Sequence, residues 1–201
     1  MERQESLSPK QLKWEQASQD IEKITDGLGR KIDEGIKESV IALNVHDFIT
    51  EASCEGHVDR ALPFPWIDVA SATVNDERYL ELRAKEKVLQ DSNAKLEQLE
   101  MEEITTKIKN IMQMNLKEKA RLLLLLAEIN PEIEAAGLPQ ITISSYGWNW
   151  SRIQPEGAPK GKPSEIRKKV PLEQIEKQLQ AYQESMRMFT NFLKEKFFKE
   201  N

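Results

Sequence analysis

The stretch "FITEASCEGHVDRALPFPWIDVAS", residues 48–71, carries the single cysteine of the chain, Cys54, and one of its two histidines, His57, on either side of Gly56. A thiol and an imidazole within hydrogen-bond reach are the minimum for an activated cysteine nucleophile, the imidazole accepting the thiol proton. Cys54 and His57 are therefore the candidate catalytic residues, with Glu55 and Asp59 as orienting carboxylates. The same two residues also read as a C-x-x-H chelate for zinc, with Asp59, His46 or Asp47 completing the set. Strong zinc signatures carry two such pairs, and here there is one. A third reading is non-covalent: Gly56 and His57, with Ser53, Glu55 and Asp59, contact a ligand, and Arg152 with Asn149 answers an anionic group. Opposed to all three is an inert thiol, because free cysteine is among the residues most often buried.

Three further features bear on chemistry. Trp66, Tyr146, Trp148 and Trp150 could form a stacking platform for a base or sugar, or simply cover a sheet beneath a helix. "DGLGRKID", residues 26–33, places two glycines at an expected helix start, where backbone amides can hold an anion. The densest basic segment, "KGKPSEIRKK" at 160–169, reads as a solvated loop ahead of a helix or as a phosphate contact.

These groups sit in a chain of 201 residues, 39% hydrophobic and 31% charged, with net charge −5. That length suits one domain, or one domain with a sizeable insertion. No overall field draws nucleic acid or an acidic membrane. A lone cysteine excludes an internal disulfide and a multi-thiolate zinc site. The polar, acid-containing start resembles no export signal, and "LLLLLA" at 122–127 falls far short of the ~20 apolar residues a membrane span needs. The expectation is a cytoplasmic protein.

The elements that must position the loop follow from periodicity. Ser8-Pro9 is a helix start, with the helix running to about Ile24. Leu28, Ile32, Ile36, Val40 and Leu43 form the stripe of a helix ending near Asn44. "FITEAS" and "PWIDVAS" are strands of one sheet, with 54–65 as a long loop on its rim. Residues 75–136 read as a helical hairpin: Asn115 and Glu118 would cap its later helix, the leucine run would be buried on several sides, and Asn130-Pro131 would break it. "QITISSYGWNWSRI" at 140–153 is strand again, with Gly147 at a bulge or tight turn. After a Pro/Gly-rich linker, Pro171 opens a long helix with Leu172, Ile175, Leu179, Tyr182, Met186, Phe189, Leu193 and Phe197 in one stripe.

This order implies an α+β fold, a small, mostly antiparallel sheet of three or four strands covered by amphipathic helices. Residues 1–74 and 137–201 would form one domain, with 75–136 inserted between strands. The mild heptad character of 78–113 permits a homodimer. No cofactor is specified.

The segment "GLGRKIDEGIKESVIALNVHDFITEASCEGHVDRALPFPWIDV", residues 27–69, resembles a recurring pattern in uncharacterised bacterial and phage proteins, in which helix and strand lead into "SCEGH" and then a "PWIDV"-like strand. "MFTNFLKEKFF" resembles the end of such proteins. The resemblance implies a shared small α/β unit and no established activity. Ser53, Cys54 and Gly56 also resemble the Ser-Cys-Ser-Gly pattern of the tRNA wybutosine-synthesis methyltransferase family, from which Glu55 and His57 depart. Two functions stay open: an enzyme or small-ligand binder using the Cys-Glu-Gly-His loop, or an interaction protein whose helical insertion meets a partner while Cys54 is structural.

Overall fold

The computed structural model describes residues 7–70, 84, 85, 87, 88, 97–146 and 150–199. Along the chain lie α1 (Pro9–Ile21), α2 (Glu34–Val45), β1 (Ile49–Cys54), β2 (Trp66–Ala70), α3 (Glu97–Ala135), β3 (Ile141–Tyr146), β4 (Trp150–Pro155), α4 (Pro163–Lys169) and α5 (Leu172–Lys199). The four strands form one antiparallel sheet in the order β1-β2-β4-β3. The fold is α+β, as the element order implies. The strands before and after the inserted segment meet at β2–β4, where Ile67 faces Ile153 and Asp68 faces Arg152. Most of 78–96 lies outside the described residues, and with it the turn of the expected hairpin and much of the proposed dimer segment.

The core lies between the sheet and the helices α2, α3 and α5. Ile67, Ile141 and Ile153 from the strands meet Ile36, Val40 and Leu43 from α2 and Met186, Phe189 and Leu193 from α5. Each of these is essentially excluded from solvent. Burying such a side chain contributes about 1.5–3 kcal/mol, so the apolar stripe of α5 is the main element holding α2 and the sheet together. Leu172 alone departs from that stripe, being exposed in the first turn. Where α2 and α5 cross, the Ser39 and Thr190 hydroxyls bond at 2.6 Å, and Thr190 also donates to the Met186 carbonyl, so neither buried polar group lacks a partner.

Several boundaries differ from the periodic reading. Ser8 caps α1 through a capping box with Gln11, but the helix ends at Ile21. The stripe from Leu28 does not begin α2: Leu28 is 78% exposed, and the helix starts at Glu34. Residues 26–30 instead form a turn around the Asp26 carboxylate, which accepts from the Leu28 and Arg30 amides at 2.8 and 2.9 Å. The anion expected at those amides is thus supplied by the turn itself.

α3 runs unbroken through Asn115 and through Pro131. Proline there removes one backbone bond, to the carbonyl of Ala127, whose residue is exposed. Asn130 bonds both backbone groups of Ile141, tying the helix to β3. The helix stops at Gly137 (φ 72°), where Leu138 N–H reaches Ile133 and Gly137 N–H reaches Glu134, a Schellman stop. The leucine run is two-sided: Leu122, Leu125 and Leu126 are buried, while Leu123 and Leu124 are exposed. Finally, 163–169, read as loop, is the short helix α4.

Candidate functional site

Cys54 is the last residue of β1, paired with Trp66 at the start of β2, and it is buried. The chain then turns through Gly56, whose φ of 82° falls in the left-handed region. The reason for glycine is internal packing: a Cβ there would lie 2.6 Å from the Phe64 carbonyl carbon and 2.7 Å from Leu179 Cδ1. The loop is pinned on α5 by this approach and by Gln183, which donates to the Glu55 carbonyl.

The rest of the loop is organised by a residue on α4. Arg167 Nε donates to the Val58 carbonyl at 2.7 Å, and its Nη2 donates to the carbonyls of His57, Arg60 and Ala61. His57 N–H closes the loop onto the Leu62 carbonyl. One guanidinium, with its fixed fork of donors, thereby satisfies four carbonyls that a tight loop cannot pair within itself. The basic segment 160–169 therefore places one of its cations in a structural role.

Asp33 completes the site, although its place within the Leu28–Leu43 stripe gives it no mark in the sequence. It occupies the N-cap position, yet its side chain makes no capping bond. Its Oδ2 instead accepts from His57 Nε2 at 3.1 Å and from the Glu55 amide at 3.3 Å. The cap on α2 comes from the loop: Glu55 Oε2 accepts the Gly35 N–H at 2.8 Å. Gly35 must be small for this contact, since a Cβ would sit 2.6 Å from that oxygen. The two carboxylates have exchanged roles across the helix–loop contact.

Asp33, Cys54 and His57 converge, with one ligand atom from each lying within 4.8 Å of the others. The His57 side chain is 11% exposed, and its Nδ1 lies 3.8 Å from Glu55 Oε1. Burial pushes the Cys54 thiol above its usual range; the Gly56 N–H, 3.4 Å from the sulfur, opposes this, and the Asp33 and Glu55 carboxylates push it further up. A thiol so placed is protonated at neutral pH, which is the reverse of the thiolate a ready nucleophile needs. Asp33 accepts from the imidazole, and its carboxylate favours the protonated form of the thiol.

The cluster forms part of the wall of a cavity of about 680 Å³ that also contacts Arg30, Ala52, Ser53, Arg60 and Trp66. Trp66 Nε1 is buried without a hydrogen-bond partner among the described residues.

The other expected residues lie elsewhere. His46 bonds the Leu193 carbonyl at 2.8 Å and packs edge-on against Phe197. Asp47 pairs with Lys13. Asp59 is exposed and outside the cluster. Arg152 is held by Asp68 through two bonds of 2.7 Å and stacks 3.8 Å over the Trp66 ring. It meets an internal carboxylate where an anionic ligand was expected. Of the aromatic set only the Trp66 side chain can be placed; Trp148, Asn149 and the side chains of Tyr146 and Trp150 lie outside the described residues.

Compared with protein-family models, curated proteins and solved structures, the chain matches none. Among the described residues no helix is long and apolar enough to cross a membrane.

Proposed function

We propose that the protein binds a small molecule in the cavity beside β1 and presents Asp33, Cys54 and His57 to it, as a ligand-binding or enzymatic protein of the cytoplasm. The observation that carries this reading is the meeting of three different reactive groups, from two segments distant in sequence, at the wall of one cavity. A purely structural cysteine needs neither a carboxylate nor an imidazole beside it.

A thermal-shift panel of amino acids, carboxylic acids, sugars and nucleotides tests this, with Ala52→Trp as the blocked form. Ala52 is exposed, lines the cavity and shares the Cys54 face of β1. A compound at a hundred times its Kd is expected to raise the melting temperature of the wild type by about 5–10 °C, and that of the Ala52→Trp form by less than a third of this. Equal shifts in both proteins, or none in either, would remove the cavity as the binding site.

One observation favours a second reading, an interaction protein acting through its helical insertion. On α3, Leu116, Leu123 and Leu124 are exposed, with exposed Ala120 and Ala127 in the same arc and opposite the buried leucines. A second copy of the chain, packed stripe to stripe, would cover them. Sedimentation velocity is then expected to show a dimer that Leu123→Glu converts to monomer; a wild type that stays monomeric at high concentration rules it out.

A further inference from the structure

The chemistry of the Asp33, Cys54 and His57 donor set is more specific than that of a general ligand pocket. We propose that these three side chains form a site for a divalent transition ion, zinc in the first place, with the cavity as its open fourth side. The inference rests on reading the cavity as a ligand site and names the ion that would act there.

Geometry and charge both support it. Tetrahedral zinc with bonds of about 2.0–2.3 Å spaces its ligand atoms roughly 3.3–3.8 Å apart. The Asp33 oxygen and His57 nitrogen are already 3.1 Å apart, and the three donor atoms fall within 4.8 Å of one another, so side-chain rotation suffices to close the set. The donors are one sulfur, one nitrogen and one oxygen, a mixture that suits zinc, cobalt or iron and disfavours magnesium and calcium. One carboxylate and one thiolate balance a double positive charge, so the loaded site is neutral where it is most buried.

The surroundings fit as well. Metal-bound imidazole usually gives its second N–H to a carboxylate, and Glu55 Oε1 stands 3.8 Å from His57 Nδ1, one small ring rotation from a bond. The Gly56 N–H points at the Cys54 sulfur, where it would support a thiolate. Arg60 is the opposing charge: its Nη2 lies 3.4 Å from His57 Nε2 and 4.0 Å from Asp33 Oδ1. Its side chain is 62% exposed, so it can swing into solvent or meet an anion bound to the ion. Three protein ligands and an open side are the pattern of catalytic rather than structural zinc.

The test uses the full chain, stripped with chelator and returned to Co²⁺ or Zn²⁺ alone. One equivalent of cobalt is expected to give a thiolate-to-metal absorption band and tetrahedral visible bands. The thiolate band should vanish in Cys54→Ser, and zinc affinity should fall at least tenfold in Asp33→Asn and in His57→Ala. Asp59→Ala should keep wild-type affinity. Zinc should also slow iodoacetamide alkylation of Cys54 at least tenfold in the wild type. Circular dichroism checks that each variant folds; should one not, the cobalt spectrum and zinc protection of the wild type still decide. Absence of a thiolate band, or equal zinc affinity in all variants, overturns the site. If zinc fails while panel compounds still shift the wild type and not Ala52→Trp, the ligand cavity stands without a metal. If zinc binds and no compound shifts the protein, the metal site stands and the ligand reading falls.

Discussion

An Asp68→Ala variant is expected to lose about 3–5 kcal/mol of stability, the cost of truncating one member of a buried, hydrogen-bonded ion pair. Asp68 and Arg152 have side chains only 11% and 16% exposed and are joined by two charge-assisted bonds across the β2–β4 register. Their strands come from opposite sides of the inserted segment, so this pair fixes the joint on which the sheet depends. The guanidinium also lies over Trp66, at the first residue of β2, and so supports one wall of the cavity. Urea denaturation measures the loss as a lower midpoint with an unchanged slope. Replacing both partners, as Asp68→Leu with Arg152→Met, should recover most of it, because an apolar pair of similar volume replaces a buried ion pair at little net cost. A loss below about 1 kcal/mol in Asp68→Ala would place the pair among exposed bridges that contribute little.

Gly56→Ala is expected to have a comparable effect, with a different signature. A side chain at a φ of 82° costs about 1–2 kcal/mol through its clash with the backbone. The added Cβ would also meet Phe64 backbone and Leu179 inside 3 Å, and overpacking of that kind costs about 1–3 kcal/mol. Together these come to roughly 2–5 kcal/mol. Because the strain falls on the 54–61 loop, relief comes by lifting the loop from α5, which carries Cys54 and His57 away from Asp33. Hydrogen exchange at the His57 amide, bonded to the Leu62 carbonyl, should accelerate well before global unfolding. A variant with wild-type stability and exchange would mean that the loop does not need its glycine.

The parts of the fold legible in the sequence are those governed by one repeating distance. In α5, Ile175, Leu179, Tyr182, Met186, Phe189, Leu193 and Phe197 recur at helical spacing and are all buried. Strands β1 and β2 declare themselves by β-formers between turn residues, and their chain order allows an antiparallel pair. Leu28 and Ile32 share the spacing of the α2 stripe and still lie outside the helix, because the Asp26 carboxylate offers the backbone a turn that periodicity does not register. Leu123 and Leu124 are as apolar as their buried neighbours. Their exposure was decided by which side of α3 the sheet and α5 occupy.

The candidate site divides in the same way. From the sequence alone come the identities of Cys54 and His57, their spacing, and a loop at the end of a strand. Asp33 was not legible as their partner, because it falls within the Leu28–Leu43 stripe, where an acidic residue reads as part of a solvated helix face. Its actual role follows from Glu55 taking the cap from twenty residues away. Arg152 likewise could not be read as the partner of Asp68, since the two are separated by 84 positions. Side-chain type and local spacing fix what each group can do and which elements form. Which groups meet is set by the packing of elements distant in sequence, and only the tertiary structure carries that information.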